Sequence, residues 1–273
     1  MTNLLGIIAG NGQLPFRLAE EARKQGKKIM VCALEGETDR GIGGCADEIQ
    51  WVRVGELGKL TQFFQRFQVT EAVMGGKITK TNLFKGEVRP DFEMIKVVAG
   101  LRNHADDALL GGIARYLEEK GIRILDSTTY LTDESLPQEG VLSKRRPSRE
   151  ELEDIDFGWM LAKEIGARDI GQTVVVKKKA VLAVEAIEGT DEAIRRGGVL
   201  GHGGVTVVKV AKPGQDMRFD VPTIGLGTLQ AMIQAQAKAL AFEAGKTILL
   251  DRHLFLDTAN LNGIAVVAKK DGL

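Results

Sequence analysis

Short apolar runs alternating with helix-spaced polar segments organise this chain. Leu4 to Ala9 is such a run, ending in Gly10-Asn11-Gly12. The spacing beyond it predicts an amphipathic helix over 14–26, and residues 28–33 form a second apolar run. Strand, glycine loop, helix and strand make a βαβ opening, with a right-handed crossover and its loop at the carboxyl end of the sheet. Further strands are expected over 49–54, 72–74 and 122–125, and helices over 60–67 and 106–120. The 72–74 strand enters Gly75-Gly76-Lys77, a second glycine loop at the same edge.

Between Leu131 and Pro147 the pattern gives way to LTDESLPQEGVLSKRRP, the composition of a linker or interdomain crossover. Ser148 and Glu151 then stand at capping-box spacing before a helix through Ile165. Residues 173–176 and 180–187 flank Lys177-Lys178-Lys179 and read as a hairpin with a basic turn. Thr190 or Asp191 caps the next helix, to about Arg196. Thr228 caps another, expected to run through Ala244, and strands over 247–250 and 264–268 close the chain. The expected class is α/β: an N-terminal Rossmann-like βαβ domain (1–131), a linker (132–147) and a second α/β domain (148–273).

Composition narrows this further. The 273 residues are 44% hydrophobic and 27% charged, as in soluble globular proteins rather than disordered ones. Basic and acidic residues both number 37, which gives no general argument for nucleic-acid binding. Two cysteines, Cys32 and Cys45, are too few for a disulfide framework and point to a reducing compartment. The N-terminus lacks the basic and long apolar regions of a signal peptide, and no apolar run reaches the ~20 residues of a membrane span. A cytoplasmic protein is expected.

Candidate chemistry lies in three places. Glycines at 10, 12, 75 and 76 allow a phosphate close to the backbone; a plain turn is the weaker alternative for the first loop and an equal one for the second. A dinucleotide reading would make Glu35 the ribose-binding acid, but Pro15 replaces the third glycine of G-x-G-x-x-G. The second place is VVKVAKPGQDMRFDVPTIG, from Val207 to Gly225. After the Lys212-Pro213-Gly214 turn, Asp216, Arg218 and Asp220 alternate with Met217, Phe219 and Val221, and Thr223 extends the polar series. In an extended chain the three charged groups share a face. Such a row can hold a divalent cation through its carboxylates and a phosphate through Arg218 and Lys212; a solvated edge strand is the alternative. The third place is Glu185, which interrupts VLAVEAI and needs a partner or a cation. His104 and His202 are isolated, and Asp106-Asp107 suit a helix N-terminus.

Four segments carry a resemblance: GIIAGNGQLP near the N-terminus, MGGK, VEAIEGTD and KPGQDMRFDVPTIG. They resemble the LpxI family over essentially the whole chain, and the last segment is the most specific. The resemblance implies a UDP-2,3-diacylglucosamine pyrophosphatase of Gram-negative lipid A synthesis. It implies Mg²⁺ (or another divalent cation), water adding to the sugar-side phosphorus, lipid X and UMP as products, substrate between two domains, and a homodimer. The family's essential aspartate belongs to the C-terminal domain and matches Asp216 or Asp220. On this basis Asp216 and Asp220, with Glu185, are expected to hold the metal, while Arg218 and Lys212 neutralise phosphoryl oxygens. Gly10, Asn11, Gly12, Gly75, Gly76 and Lys77 would hold the nucleotide, with Gly189, Thr190 and Thr223 completing the substrate site. Transient contact with the inner-membrane surface follows from an amphiphilic substrate, with 131–147 as a hinge for closure. The rival readings are an NAD-linked oxidoreductase and a noncatalytic nucleotide-sugar-binding module.

Overall fold

The computed structural model describes residues 3–77, 90–101 and 106–271. His104 and the side chains of Asp106 and Asp107 lie outside the described residues. The chain divides into two compact units, Met1–Leu131 with Asp216–Asp220, and Thr132–Gln215 with Val221–Leu273.

In the first unit β1 (Leu4–Ala9), β2 (Lys28–Leu34), β3 (Glu48–Val52), β4 (Glu71–Gly75) and β5 (Arg123–Ile124) form a parallel sheet in the order β3-β2-β1-β4-β5. Strands of a parallel sheet are buried on both faces, so they read as unbroken apolar runs. Leu5, Ile7, Ile29 and Val31 are accordingly fully buried. Around the sheet stand α1 (Leu14–Lys24), α2 (Leu57–Arg66), α3 (Phe92–Ala99) and α4 (Asp106–Glu119). Helix α1 buries Leu14, Leu18 and Ala22, and α2 buries Leu57, Leu60, Phe63 and Phe64. Pro15 sits in the first turn of α1, where a backbone N–H is not needed. The close helix-to-sheet approach that a glycine at 15 would have given comes instead from Gly75. A Cβ there would lie 2.6 Å from Leu18 Cδ1 and 3.5 Å from Pro15 N.

The second unit holds β6 (Gly140–Val141), α5 (Arg149–Ala167), β7 (Thr173–Lys177), β8 (Ala180–Val184), α6 (Thr190–Gly201) and β9 (Thr206–Lys209). It continues with β10 (Thr223–Ile224), α7 (Leu226–Gln234), β11 (Ala239–Glu243), β12 (Ile248–Leu249), α8 (Arg252–Leu261) and β13 (Ala265–Lys269). Its main sheet has the order β6-β13-β11-β9-β7-β8, with β9, β11 and β13 parallel and the outer pairings antiparallel. The Ser148–Glu151 capping box starts α5. The β7–β8 turn places Lys178 and Lys179 at φ of 50° and 56°, and the Asp154 carboxylate accepts both of their N–H groups (3.0 and 2.6 Å).

Two expectations are corrected in this unit. No single helix runs from Thr228 to Ala244: Gln236 takes φ of 50° and ends α7, and β11 follows, buried throughout. Alanine-rich AKALAF has helical propensity, but placement between β9 and β13 decides its state. Nor is 131–147 a free linker. Strand β6 pairs with β13, Leu249 N–H donates to Ser135 O (2.8 Å), and Arg145 makes a two-point pair with Glu151 (2.9 Å each). From residue 135 onward the segment is tied into the unit.

Candidate active site

In the first unit the connections from β1 run to one side through β2 and β3, and the other side is built from β4 and β5. The carboxyl ends of β1 and β4 therefore flank the switch point, where open α/β sheets receive ligands. Gly10-Asn11-Gly12 leaves β1 there and Gly75-Gly76-Lys77 ends β4. The two loops bind each other: Gly10 N–H donates to Gly75 O (2.8 Å), Asn11 N–H to Lys77 O (2.8 Å) and Lys77 N–H to Asn11 O (2.9 Å). Glycine is required for this approach, since a Cβ on Gly76 (φ 90°) would lie 2.6 Å from Asn11 O. The N–H groups of Gly10, Asn11 and Lys77 thus serve the facing loop. What this edge offers an anion is the first turn of α1 and the exposed Lys77 side chain.

Asp216–Asp220 belongs to this same unit. The expected strand is absent: Phe219 and Asp220 both direct N–H groups to Asp216 O (3.3 Å each), winding the segment into a turn. The alternation of charged and apolar faces therefore does not apply. Ser127 seats the turn. Its N–H donates to Met217 O (3.0 Å), and its Oγ lies 2.6 Å from Met74 O and 2.8 Å from Arg218 O. Met74 is the penultimate residue of β4, so the turn stands at the edge that carries Gly75-Gly76-Lys77. Phe219 packs on the core formed by β2, β4, α2 and α4. Arg218 holds Asp216 through Nε (3.0 Å to Oδ1) and Nη2 (2.8 Å to Oδ2), and reaches Glu118 at 3.2 Å. Hydrogen bonding by Arg218 keeps the Asp216 carboxyl below its ordinary range, and the same pair pushes the guanidinium up. In this arrangement Arg218 is engaged by carboxylates, where a phosphate was expected.

Glu185, Thr190 and Thr223 converge within the second unit, around a residue the pattern reading passed over. Lys209, 3% exposed on β9, donates to Thr190 Oγ1 (3.1 Å) and Thr223 O (3.0 Å). Thr190 Oγ1 donates to Glu185 Oε1 (2.7 Å), and Gln172 N–H reaches Oε2 (3.3 Å). Burial pushes the Glu185 carboxyl up, but the Lys209 charge and these donors outweigh it, and the net direction is down. Glu185 thus has the partner its position demanded. Lys209 announces itself by the same signal as Glu185, a charge inside an apolar run, here TVVKVA. Neither Thr190 nor Asp191 is the N-cap of α6; Gly189 is, at φ of 86°. Lys212 pairs with Asp169, so its ammonium too is engaged within its own unit.

The LpxI N-terminal domain model matches residues 4–134, and the LpxI C-terminal domain model matches residues 138–267. The chain belongs to the LpxI family. The UDP-2,3-diacylglucosamine pyrophosphatase LpxI of Caulobacter vibrioides is 32% identical over 277 aligned positions, covering 96% of each chain. Membership of LpxI takes the βαβ opening away from the NAD-linked reading, in agreement with Pro15 in place of the third glycine. It leaves the metal question to the residues themselves. Among the described residues no group of three or more His, Cys, Asp or Glu side chains could hold a metal ion. Asp216 has both oxygens on Arg218, and Glu185 is held by Thr190, Gln172 and Lys209. Asp216 in the first unit and Glu185 in the second are thus each engaged by neighbours of their own unit, and neither presents an uncommitted carboxylate to a cation.

Proposed function

We propose that this protein hydrolyses the pyrophosphate of UDP-2,3-diacylglucosamine to 2,3-diacylglucosamine 1-phosphate and UMP, a step of lipid A synthesis. The observation that carries the reading is the match to both LpxI domains together with the seat of the Asp216–Asp220 turn. A carboxylate-bearing turn stands beside the glycine loops at the switch edge of a nucleotide-type sheet. Water adds to the sugar-side phosphorus; its oxygen forms the new P–O bond, the bridging P–O bond breaks, and UMP leaves. In this scheme Asp220 orients the attacking water, Arg218 is held in place by Asp216 and Glu118, and Lys77 faces a phosphate at the switch edge.

Mg²⁺ dependence belongs to the proposal: a divalent cation would offset the charge that the diphosphate carries in the transition state. A homodimer and transient contact with the cytoplasmic face of the inner membrane complete it. No described helix is long and apolar enough to cross a membrane. Helix α3 instead presents Phe92 and Ile95, 69% and 52% exposed, beside Lys96, a pairing suited to a lipid surface.

The test is turnover of UDP-2,3-diacylglucosamine in ¹⁸O-water with and without Mg²⁺. Expected is metal-dependent release of UMP with the label in the sugar phosphate. Label in UMP would overturn the site of attack, and binding without turnover would favour the noncatalytic module.

A further inference from the structure

We propose that the cavity lined by Glu35, Gly36, Thr38, Arg40 and Trp51 is a nucleotide seat, taking the uridylate half of the substrate; the choice of uridylate rests on the function proposed above. The cavity measures about 650 Å³ and belongs wholly to the first unit. That size is usual for small-molecule sites. It opens at the carboxyl ends of β2 and β3, whose last residues are Leu34 and Val52. Glu35 N–H donates to Val52 O (2.8 Å), which joins the two strand ends into one wall. Ligands of open α/β sheets bind outside the carboxyl ends of the strands at the switch point, and β2 neighbours β1 on one side of it.

The lining supplies each contact that a nucleoside monophosphate needs. Trp51 brings an indole face on which a base can stack. Glu35 is exposed and, as a carboxylate, only accepts, so it suits the paired hydroxyls of a ribose. Arg40 is exposed and forms no ion pair among the described residues; its planar fork matches a phosphate. Thr38 does not contact ligand through its hydroxyl in this scheme, because that group donates to Ala9 O and accepts from Leu34 N–H (2.9 Å). It pins the 35–38 turn to β1. Asp39 fixes the next turn by accepting from Gly41 N–H (2.7 Å), which holds Arg40 at the rim. An acyl chain is a poor occupant, since a carboxylate and a guanidinium would lose water against it.

The test is titration of the full chain with UMP, 2′-deoxy-UMP and NAD by calorimetry, for the unmodified protein and for Trp51→Ala, Glu35→Gln and Arg40→Met. Circular dichroism checks each fold. Expected is UMP binding that Trp51→Ala weakens roughly ten- to hundredfold. Glu35→Gln should weaken UMP more than 2′-deoxy-UMP, and Arg40→Met should weaken both. A second measurement leaves the cavity intact: in Trp159→Phe the only remaining indole is Trp51, and UMP should quench its fluorescence. Unchanged affinity in all three variants, or no quenching, overturns the seat. Binding of NAD in place of UMP overturns the pyrimidine assignment. UMP binding through Trp51 in a chain that leaves UDP-2,3-diacylglucosamine intact keeps the seat and removes the proposed function; turnover without UMP binding does the reverse.

Discussion

Asp216 and Arg218 are joined at two points across a single intervening residue, with Nε 3.0 Å from one carboxylate oxygen and Nη2 2.8 Å from the other. A guanidinium so held is a fixed positive charge with a set direction. On the function proposed above, Asp216 positions Arg218 and Asp220 acts on the substrate. Asp220→Asn should lower kcat by about 10²-fold or more. Asp216→Asn, which loosens Arg218 without removing it, should cost about tenfold. UMP release measured for both variants decides, and a larger loss in Asp216→Asn would reverse the assignment.

Ser127 gives a sharper test of the turn's seat. Its hydroxyl lies between Met74 O on β4 and Arg218 O in the turn, and only one hydrogen is available to serve both. Ser127→Ala should destabilise by about 1 kcal/mol, lowering Tm by about 2 °C for a chain of this size. Turnover should fall further than that loss of fold would explain, because the turn can shift on the edge. Thr129→Val is the control: two residues along the chain from Ser127, its hydroxyl donates to Asp126 O (2.6 Å), and turnover should be kept. Full turnover in Ser127→Ala at a lowered Tm would make the seat purely structural.

The two glycine loops separate conformational strain from contact. Gly12 has φ of 100° with open space around the missing Cβ, so Gly12→Ala meets strain alone, about 1–2 kcal/mol. Gly76 has φ of 90° and a would-be Cβ 2.6 Å from Asn11 O, so Gly76→Ala must also part the two loops. Chemical denaturation should show the second loss exceeding the first by about 1 kcal/mol or more, with turnover surviving only in Gly12→Ala. Equal losses would mean that the loops do not depend on each other.

Sequence pattern specifies structure where one physical constraint dominates. The first sheet is parallel and buried on both faces, so each strand is an apolar run entering a glycine loop, and β1, β2 and β4 are legible at once. The failures have specific causes. Residues 216–220 alternate as a strand would, but Pro213-Gly214 and Pro222 leave only a short segment, and Ser127, remote in sequence, winds it into a turn. The strand β11 is hidden because alanine suits a helix as well as a sheet interior, and only β9 and β13 on either side choose. Of the candidate site, the acidic residues were visible but their engagement was not. Arg218 for Asp216, Lys209 for Glu185 and Asp169 for Lys212 are pairings set by packing, which spacing along a chain does not reveal.

Lys209 and Glu185 permit the most complete test, since both burial and pH bear on them. They are 3% and 9% exposed, and Thr190 bridges them. Removing one member strands the other charge, so Lys209→Met should destabilise by about 3–5 kcal/mol. Adding Glu185→Gln removes the stranded charge and should restore part of that loss. The pH dependence has a definite sign. Glu185 is held below its ordinary value of 4.5 in the fold, so the stability it contributes is fully present above that value. It drains away as pH falls through the lower folded value, where the native carboxylate takes up its proton. Urea unfolding should therefore show a constant gap between the unmodified chain and Glu185→Gln at neutral pH, closing under acid conditions below about pH 4.5. A gap that widened on acidification would mean that burial wins over Lys209, and that Glu185 is carried protonated.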